Sequence, residues 1–506
     1  MWNDASLRAR APIVQCPDAN GQTGVSKILS KIDPVRAKPT CRPSLDIPAT
    51  VTSTLEQLRT GQLAGTQRLT LACDLTEFPR EIFDLAATLE VLDLSGNALS
   101  WLPDDLPRLT NLHTIFCSNN QFTELPEVLG RCTQLTMVGF KANRIRHVSG
   151  ASLPPKLRWL ILTDNQVEAL PPEIGNCTQL QKLMLAGNQL RTLPVELAAC
   201  SRLELIRLAA NRLAELPVWV ASLPRLSWLA YAGNPFNERL EAKAMANTAV
   251  ADIPWQALDL QHRLGEGASG VIHRAEHRQE YPATSGATQP VAVKLFKGAV
   301  TSDGLPHCEM AACIAAGSHL NLIPVIGQVK DHPTGVHCLV MELIDPQLRN
   351  LAGPPSLASC TRDIYDVDTR FDLPSALSVA HGIASAASHL HQQGIMHGDL
   401  YAHNILHGGQ GYALMGDFGA ASFYATDDQA LATTLQRIEV RAFGCLLEEL
   451  IDRCDAQASA TSSMAVLAGL KNSCLSEQAG DRPLFDEIVN TLSALKDSHR
   501  HEATSA

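Results

Sequence analysis

Two carboxylates and a carboxamide are the groups in this chain best suited to chemistry. Asp399 and Asn404 stand five positions apart in MHGDLYAHNIL, and Asp417 follows in LMGDFGAAS. A carboxylate can orient a hydroxyl and take its proton, while carboxylate and amide oxygens are hard donors suited to magnesium. Upstream, LGEGASGVIHRAEH places Gly265, Gly267 and Gly270 among extended residues, with Val271 next, and VAVKLF carries Lys294. Glycines let a backbone come close to phosphate oxygens, and a lysine adds positive charge beside them. Any single aspartate can merely cap a turn, and a lone GxGxxG also fits a dinucleotide fold. Here the glycines lead into a strand bearing a lysine, not into a helix with an acidic residue about 20 positions on, which disfavours the dinucleotide reading.

In this order the segments resemble the protein-kinase family over about residues 255–498. The resemblance implies a two-lobed α+β domain, with a small lobe to about residue 343 and ATP between the lobes. It implies transfer of the γ-phosphoryl group of ATP to a protein hydroxyl, most readily serine or threonine. The alternative is a catalytically weak pseudokinase scaffold that binds ATP and a protein partner. Carried over residue by residue, Asp399 is the base, Lys294 meets the phosphates, and Glu309 on the next helix is the ion-pair partner of Lys294. Asn404 and Asp417 are the Mg2+ ligands, with Mn2+ as the other candidate metal. Gly265, Gly267, Gly270, Val271, Ala292 and Leu406 surround the nucleotide, Met341 in CLVMELI is the gatekeeper, and backbone near Glu342 and Ile344 meets the base.

Three departures from the family pattern bear on the acceptor side. Gly398 replaces the usual Arg before Asp399, and Tyr401 stands where a Lys near the transferred phosphate is common. Only 19 residues separate Gly419 from Glu439, with no Ala-Pro-Glu, so Arg482 lacks its usual glutamate partner. The peptide platform is therefore expected to be short.

The other half is repetitive. LEVLDLSGNALSWLP returns with Asn at 97, 120, 143, 165, 188, 211 and 234, a period of 22 or 23, and Asp74 falls in register one unit earlier. Such repeats stack short strands whose apolar residues face inward, while each Asn satisfies backbone groups where the strand turns away. This half resembles the LPxxL-type leucine-rich-repeat family over about residues 60–237. The fold class expected is an α/β leucine-rich-repeat solenoid joined to a two-lobed α+β protein kinase domain. Phe116, Trp159, Ile161, Met184, Leu205 and Trp228 fall on exposed positions of the concave strands. Such a sticky patch is expected to bind a protein substrate or partner, or else to cover the chain's own kinase domain or N-terminal segment.

The division expected is a flexible segment at 1–52, repeats with terminal caps at 53–250, the kinase domain at 251–498 and a flexible tail at 499–506. An Ala-rich helix at 238–250 leads directly into the first kinase strand, with no Gly/Ser linker. The net charge of −11 and the absence of Lys/Arg clusters exclude a general nucleic-acid binder. No apolar run of membrane-crossing length occurs. Cys132, Cys177 and Cys200 recur three residues before a Leu, as small apolar fillers. A soluble intracellular protein with reduced thiols is expected, although an export signal in residues 1–52 is compatible with their composition.

Overall fold

The computed structural model describes residues 53–247, 250–267, 269–278, 288–297, 300–455 and 461–505, so the segment 1–52 lies outside the described residues. The chain divides into two compact units between Leu157 and Arg158. That boundary differs from the division at residue 250 expected from sequence pattern: the last four repeats belong to the same unit as the kinase-like region.

The first unit opens with helix α1 (Thr54–Arg59), capped by the Ser53 hydroxyl accepting from Glu56 N at 3.2 Å. Four strands follow: β1 (Arg68–Thr70), β2 (Val91–Asp93), β3 (Thr114–Phe116) and β4 (Met137–Gly139), parallel and in register. Their central residues Leu69, Leu92, Ile115 and Val138 are fully buried. Asn97 shows why the repeat needs its asparagine. Its Oδ1 accepts from Cys73 N and Leu75 N, and its Nδ2 donates to Leu71 O and Leu94 O, all within 3.1 Å. Those backbone groups have left the strand ladder and would otherwise be buried without partners.

The second unit continues the pattern with β5 (Trp159–Ile161), β6 (Lys182–Met184), β7 (Leu205–Arg207) and β8 (Trp228–Ala230), again parallel. Helix α2 (Glu238–Asn247) ends the repeats. The chain then adds β9 (Ala251–Pro254) to a six-stranded small-lobe sheet with β10 (Leu258–Glu266), β11 (Gly270–Arg278), β12 (Thr288–Phe296), β13 (Val325–Lys330) and β14 (Cys338–Glu342). The order is β10-β11-β12-β14-β13-β9, and helix α3 (Pro306–Ala315) lies between β12 and β13 in the chain. In the large lobe, β15 (Arg349–Asn350) precedes helix α4 (Leu373–Gln392). Four short strands, β16 (Ile395–Met396), β17 (Ile405–His407), β18 (Ala413–Met415) and β19 (Ser422–Phe423), carry the loops that bear Asp399 and Asp417. Helices α5 (Gln429–Asp452), α6 (Thr461–Cys474) and α7 (Phe485–Ser505) complete it. α7 runs to Ser505, where a tail was expected from 499.

The large-lobe core is built on α4, α5 and α7, with Leu377, Ile383, Leu390, Phe443, Leu447, Ile488 and Leu492 all inaccessible. Leu205 and Trp228, on the concave side of β7 and β8, belong to the same buried cluster. Of the six patch residues, Leu205 and Trp228 are therefore buried in the kinase-like region and Met184 packs half-buried against it, as one of the two expectations for the patch had it, while Trp159 and Ile161 in this unit and Phe116 in the other are half-buried.

Candidate functional site

The nucleotide side is assembled by sheet register. Lys294 on β12 pairs with Ile272 on β11 and Leu339 on β14, which holds its side chain at the mouth of the glycine turn. Gly270 is required there: a Cβ would sit 2.6 Å from Leu295 O and 3.2 Å from Lys294 Cε. At Gly265 and Gly267 a Cβ would meet nothing within 4 Å, so the turn is open on its outer side. Helix α3, with Pro306 in its first turn, turns Glu309 inward to form a buried ion pair with the Lys294 ammonium. Burial alone would lower Lys294, but Glu309 and Asp417 outweigh it and hold the ammonium above its ordinary range. Burial, reinforced by Asp417, raises Glu309 despite its lysine partner.

A cleft lined by Gly267, Gly270, Lys294, Met341, Asp417 and Phe418 joins these groups to the catalytic-loop side. Gly265, Val271, Ala292, Glu342, Ile344 and Leu406 do not line it. Ala292 is buried opposite Met341 in the strand ladder, Leu406 is half-buried on β17, and the Glu342 N–H donates to Pro324 O at 3.0 Å.

The loop between β16 and the single helical turn at Ala402–Asn404 is held from below. Glu439, buried on α5, accepts from Gly398 N at 2.7 Å, His397 N at 3.2 Å and His391 Nε2 at 2.7 Å. Burial would raise its carboxyl, but His391, His397 and the Gly398 N–H outweigh this and hold it below the usual carboxylate range. His397 reaches Gly416 O at 2.9 Å and its ring lies 5.1 Å from Phe418, which ties the two loops together. Asn404 Nδ2 donates to Asp399 O at 3.0 Å and Asp399 Oδ2 at 2.8 Å. Asp417 is exposed in the left-handed region at φ 59°, with Oδ1 accepting from Gly419 N at 3.2 Å.

The residue that sequence reasoning missed is Arg207 of β7. Its side chain is 2% exposed, and it pairs with two carboxylates: Nε donates to Asp303 Oδ1 at 2.8 Å and Nη2 to Asp399 Oδ1. Nη1 donates to Gly398 O at 3.0 Å. Burial alone would lower the guanidinium, but Asp399 and Asp303 keep it above its ordinary range. Asp399 itself is raised, first by burial and then by Asp303 and Asp417, with Arg207 opposing. An arginine on a concave position, beside a catalytic loop lacking its own cation, was the available signal.

The departures from the family pattern acquire physical reasons here. Gly398 has φ 73°, and a Cβ would lie 2.5 Å from Ala420 O and 2.7 Å from Leu229 O on β8, so no arginine fits. Tyr401 stacks on Trp228 at 4.1 Å and 6°, and Trp228 Nε1 donates to Leu400 O at 3.0 Å. Tyr231 follows β8, its N–H donating to Ser422 Oγ and its hydroxyl to Phe423 O. Arg482, buried and without its usual glutamate partner, donates instead to Ser476 O, Arg437 O and Pro224 O of the last repeat at 2.7–3.0 Å. The end of the repeat domain thus makes contacts that the shortened segment after Gly419 does not supply.

The metal fit rests on donor chemistry. Asp417 lines the cleft and Asn404 lies on the adjoining loop bonded to Asp399, so both offer oxygen donors of the kind a hard divalent cation prefers, and no cluster of three or more His, Cys, Asp or Glu suited to a metal occurs among the described residues. Two side-chain ligands suit a cation whose other ligands are phosphate and water.

Residues 258–443 match the family described as protein tyrosine and serine/threonine kinase, and residues 155–213 and 88–109 match leucine-rich-repeat families. The chain is 28% identical over 184 residues to CBL-interacting protein kinase 22 of Oryza sativa subsp. japonica, covering 35% of this chain and 38% of that protein. It is 33% identical over 123 residues to the probable inactive serine/threonine-protein kinase roco10 of Dictyostelium discoideum, covering 22% and 4%. It is 33% identical over 92 residues to PH domain leucine-rich repeat-containing protein phosphatase 1 of Homo sapiens, covering 18% and 5%. The chain thus spans between 4% and 38% of the length of these relatives. With both parts of the pattern matched and the cleft inside residues 258–443 described, the chain carries a leucine-rich-repeat region joined to a domain of the protein tyrosine and serine/threonine kinase family.

Proposed function

We propose that the chain is an ATP-dependent protein kinase that phosphorylates protein hydroxyls, serine or threonine in the first place. The observation that carries this reading is the buried Lys294–Glu309 pair facing Asp417 across one cleft, with Asp399 and Asn404 bonded to each other on the adjoining loop. In this reading Asp399 orients the acceptor hydroxyl and takes its proton. The hydroxyl oxygen bonds to the γ-phosphorus, the bond to the β–γ bridging oxygen breaks, and ADP leaves with that electron pair. Lys294, fixed by Glu309, holds the α and β phosphates, and the open glycine turn covers them. Mg2+, or Mn2+ in its place, held by Asn404 Oδ1 and Asp417, would neutralise phosphate charge. Met341 and the backbone at Glu342 and Ile344 bound the adenine, with Val271, Ala292 and Leu406 above and below it.

Concave faces of leucine-rich repeats generally bind proteins. A partner or substrate is assigned here to the half-buried Trp159 and Ile161, and separately to Phe116 in the first unit. The functional division is 53–250 for repeats and caps and 251–498 for the kinase domain. No helix of the described residues is long and apolar enough to cross a membrane. An intracellular, reducing compartment is proposed on the twelve described cysteines, all of them free thiols.

A second reading is a nucleotide-binding scaffold, favoured by Arg207 occupying one oxygen of Asp399. The two separate in one assay: magnesium-dependent transfer of label from γ-labelled ATP to a panel of proteins by wild type, Lys294→Met and Asp399→Asn. The kinase reading expects transfer by wild type and its loss in both variants; ATP binding without transfer by wild type overturns it in favour of the scaffold.

A further inference from the structure

We infer that Arg207, a residue of the repeat domain, is a positioning residue for phosphoryl transfer: it supplies the cation that the catalytic loop lacks and fixes the carboxylate of Asp399. The inference rests on the kinase reading above.

Inside the loop, none of the usual cationic positions can serve. Position 398 is a glycine that a Cβ would drive into Leu229 O and Ala420 O. Tyr401 is buried and stacked on Trp228. His403 is turned to Asp363, with Nδ1 at 2.7 Å from Oδ1 and its N–H donating to Oδ2 at 2.9 Å. Arg207 contacts Asp399 from β7 instead, and each of its three guanidinium nitrogens donates one bond. One arm ties the carboxylate, a second ties the carbonyl immediately before it, and Nε ties Asp303 in the loop that enters α3. A planar guanidinium with three fixed bonds sets both the position and the plane of its partner, which a flexible ammonium does not. Asn404 holds the other oxygen of Asp399, so the carboxylate is oriented from two sides.

A removable lid would place the same arginine at the same atom, but this surface is built as a core. Trp228 and Leu205 sit in the large-lobe hydrophobic cluster. Lifting β7 and β8 away would deprive buried Arg482 of Pro224 O, expose Trp228, and leave Arg207, Asp303 and Asp399 without their pairing. Helix α2 also packs on α3, where Cys308 Sγ donates to Glu241 Oε2 at 3.5 Å, so the repeats stay attached to the small lobe as well. Arg207 therefore stays at Asp399 through turnover. The Lys294–Glu309 pair is intact with Arg207 in place, as a working arrangement requires.

The test uses the full chain and steady-state transfer to a protein acceptor with ATP varied. Arg207→Ala is expected to lower kcat about 100-fold with the KM for ATP unchanged within about twofold, because the base is misplaced while the nucleotide side is untouched. Guanidinium added below its denaturing range is expected to restore at least part of the lost kcat, which a merely structural defect would not show. Arg207→Lys, which keeps the charge without the fork, carries the test if the alanine variant does not fold, and is expected to lose about tenfold. Wild-type or faster transfer by the folded variants overturns the inference and makes β7 an inhibitory lid. No transfer by the wild type overturns the kinase reading, and this inference with it.

Discussion

Repeats of one pattern meet two fates within the second unit. On β5, Trp159 and Ile161 are half-buried, and on β6 Lys182 is buried and Met184 packs half-buried against the large-lobe cluster; Trp159 donates to Met184 Sδ at 3.4 Å, and Lys182 Nζ lies 4.5 Å from the Trp159 ring centroid. On β7 and β8, the equivalent Leu205, Arg207 and Trp228 are buried against the large lobe. The strand and asparagine framework is the same in both pairs: Asn188 and Asn211 each take a backbone N–H and return two or more bonds to carbonyls. The repeat therefore determines the scaffold, while the concave residues determine what the scaffold becomes. In the last two repeats it becomes part of the kinase.

That contrast breaks first at the tryptophans. Trp228→Ala should destabilise the second unit by about 4 kcal/mol, as expected for truncating a buried aromatic, whereas Trp159→Ala should cost about 1 kcal/mol. Urea unfolding followed by far-UV circular dichroism compares the two; equal losses would mean that β8 is no more integral than β5.

Glu449 sharpens the comparison on the large-lobe side, where Thr361 contacts Glu204 next to β7 and Arg362 behind it bonds Glu449 at 3.0 Å. Burial, only partly offset by Arg362, pushes the Glu449 carboxyl from the ordinary 4.5 up to about 7. Because the folded value lies above the unfolded one, the stabilisation is complete below about pH 4.5 and is lost as the pH rises through 7. Glu449→Gln should remove this dependence, so that the variant gains roughly 3 kcal/mol on the wild type between those limits. Parallel unfolding curves across that window would contradict the burial of this carboxyl.

The smallest change tests the approach of the Gly398 loop to the β8 backbone. Gly398→Ala introduces a side chain at φ 73° against two carbonyls and should cost about 2 kcal/mol, read as a lower melting temperature. A neutral substitution would mean that β8 lies farther from the loop.

Legibility in the sequence followed the same division. The asparagine series and the Lys294–Glu309 pair were readable because each depends on short, regular spacing inside one motif family. Gly398, Tyr401 and Arg482 were readable only as departures, because what replaces their usual neighbours comes from the other half of the chain. The Arg207 contact with Gly398 spans 191 positions and that of Arg482 with Pro224 spans 258. No periodicity connects such residues, and a concave strand position tolerates almost any side chain until something packs on it. The sticky patch was therefore visible as a patch, but its split between kinase core and half-buried face was not.

The account stands most directly on one ratio, the magnesium-dependent label transferred from γ-labelled ATP by the full chain relative to Asp399→Asn at equal enzyme and acceptor. It predicts clear transfer by the wild type and a loss of at least about 100-fold in the variant, the scale of removing a general base. Equal transfer by the two proteins, or none by the wild type while ATP still binds, would contradict it.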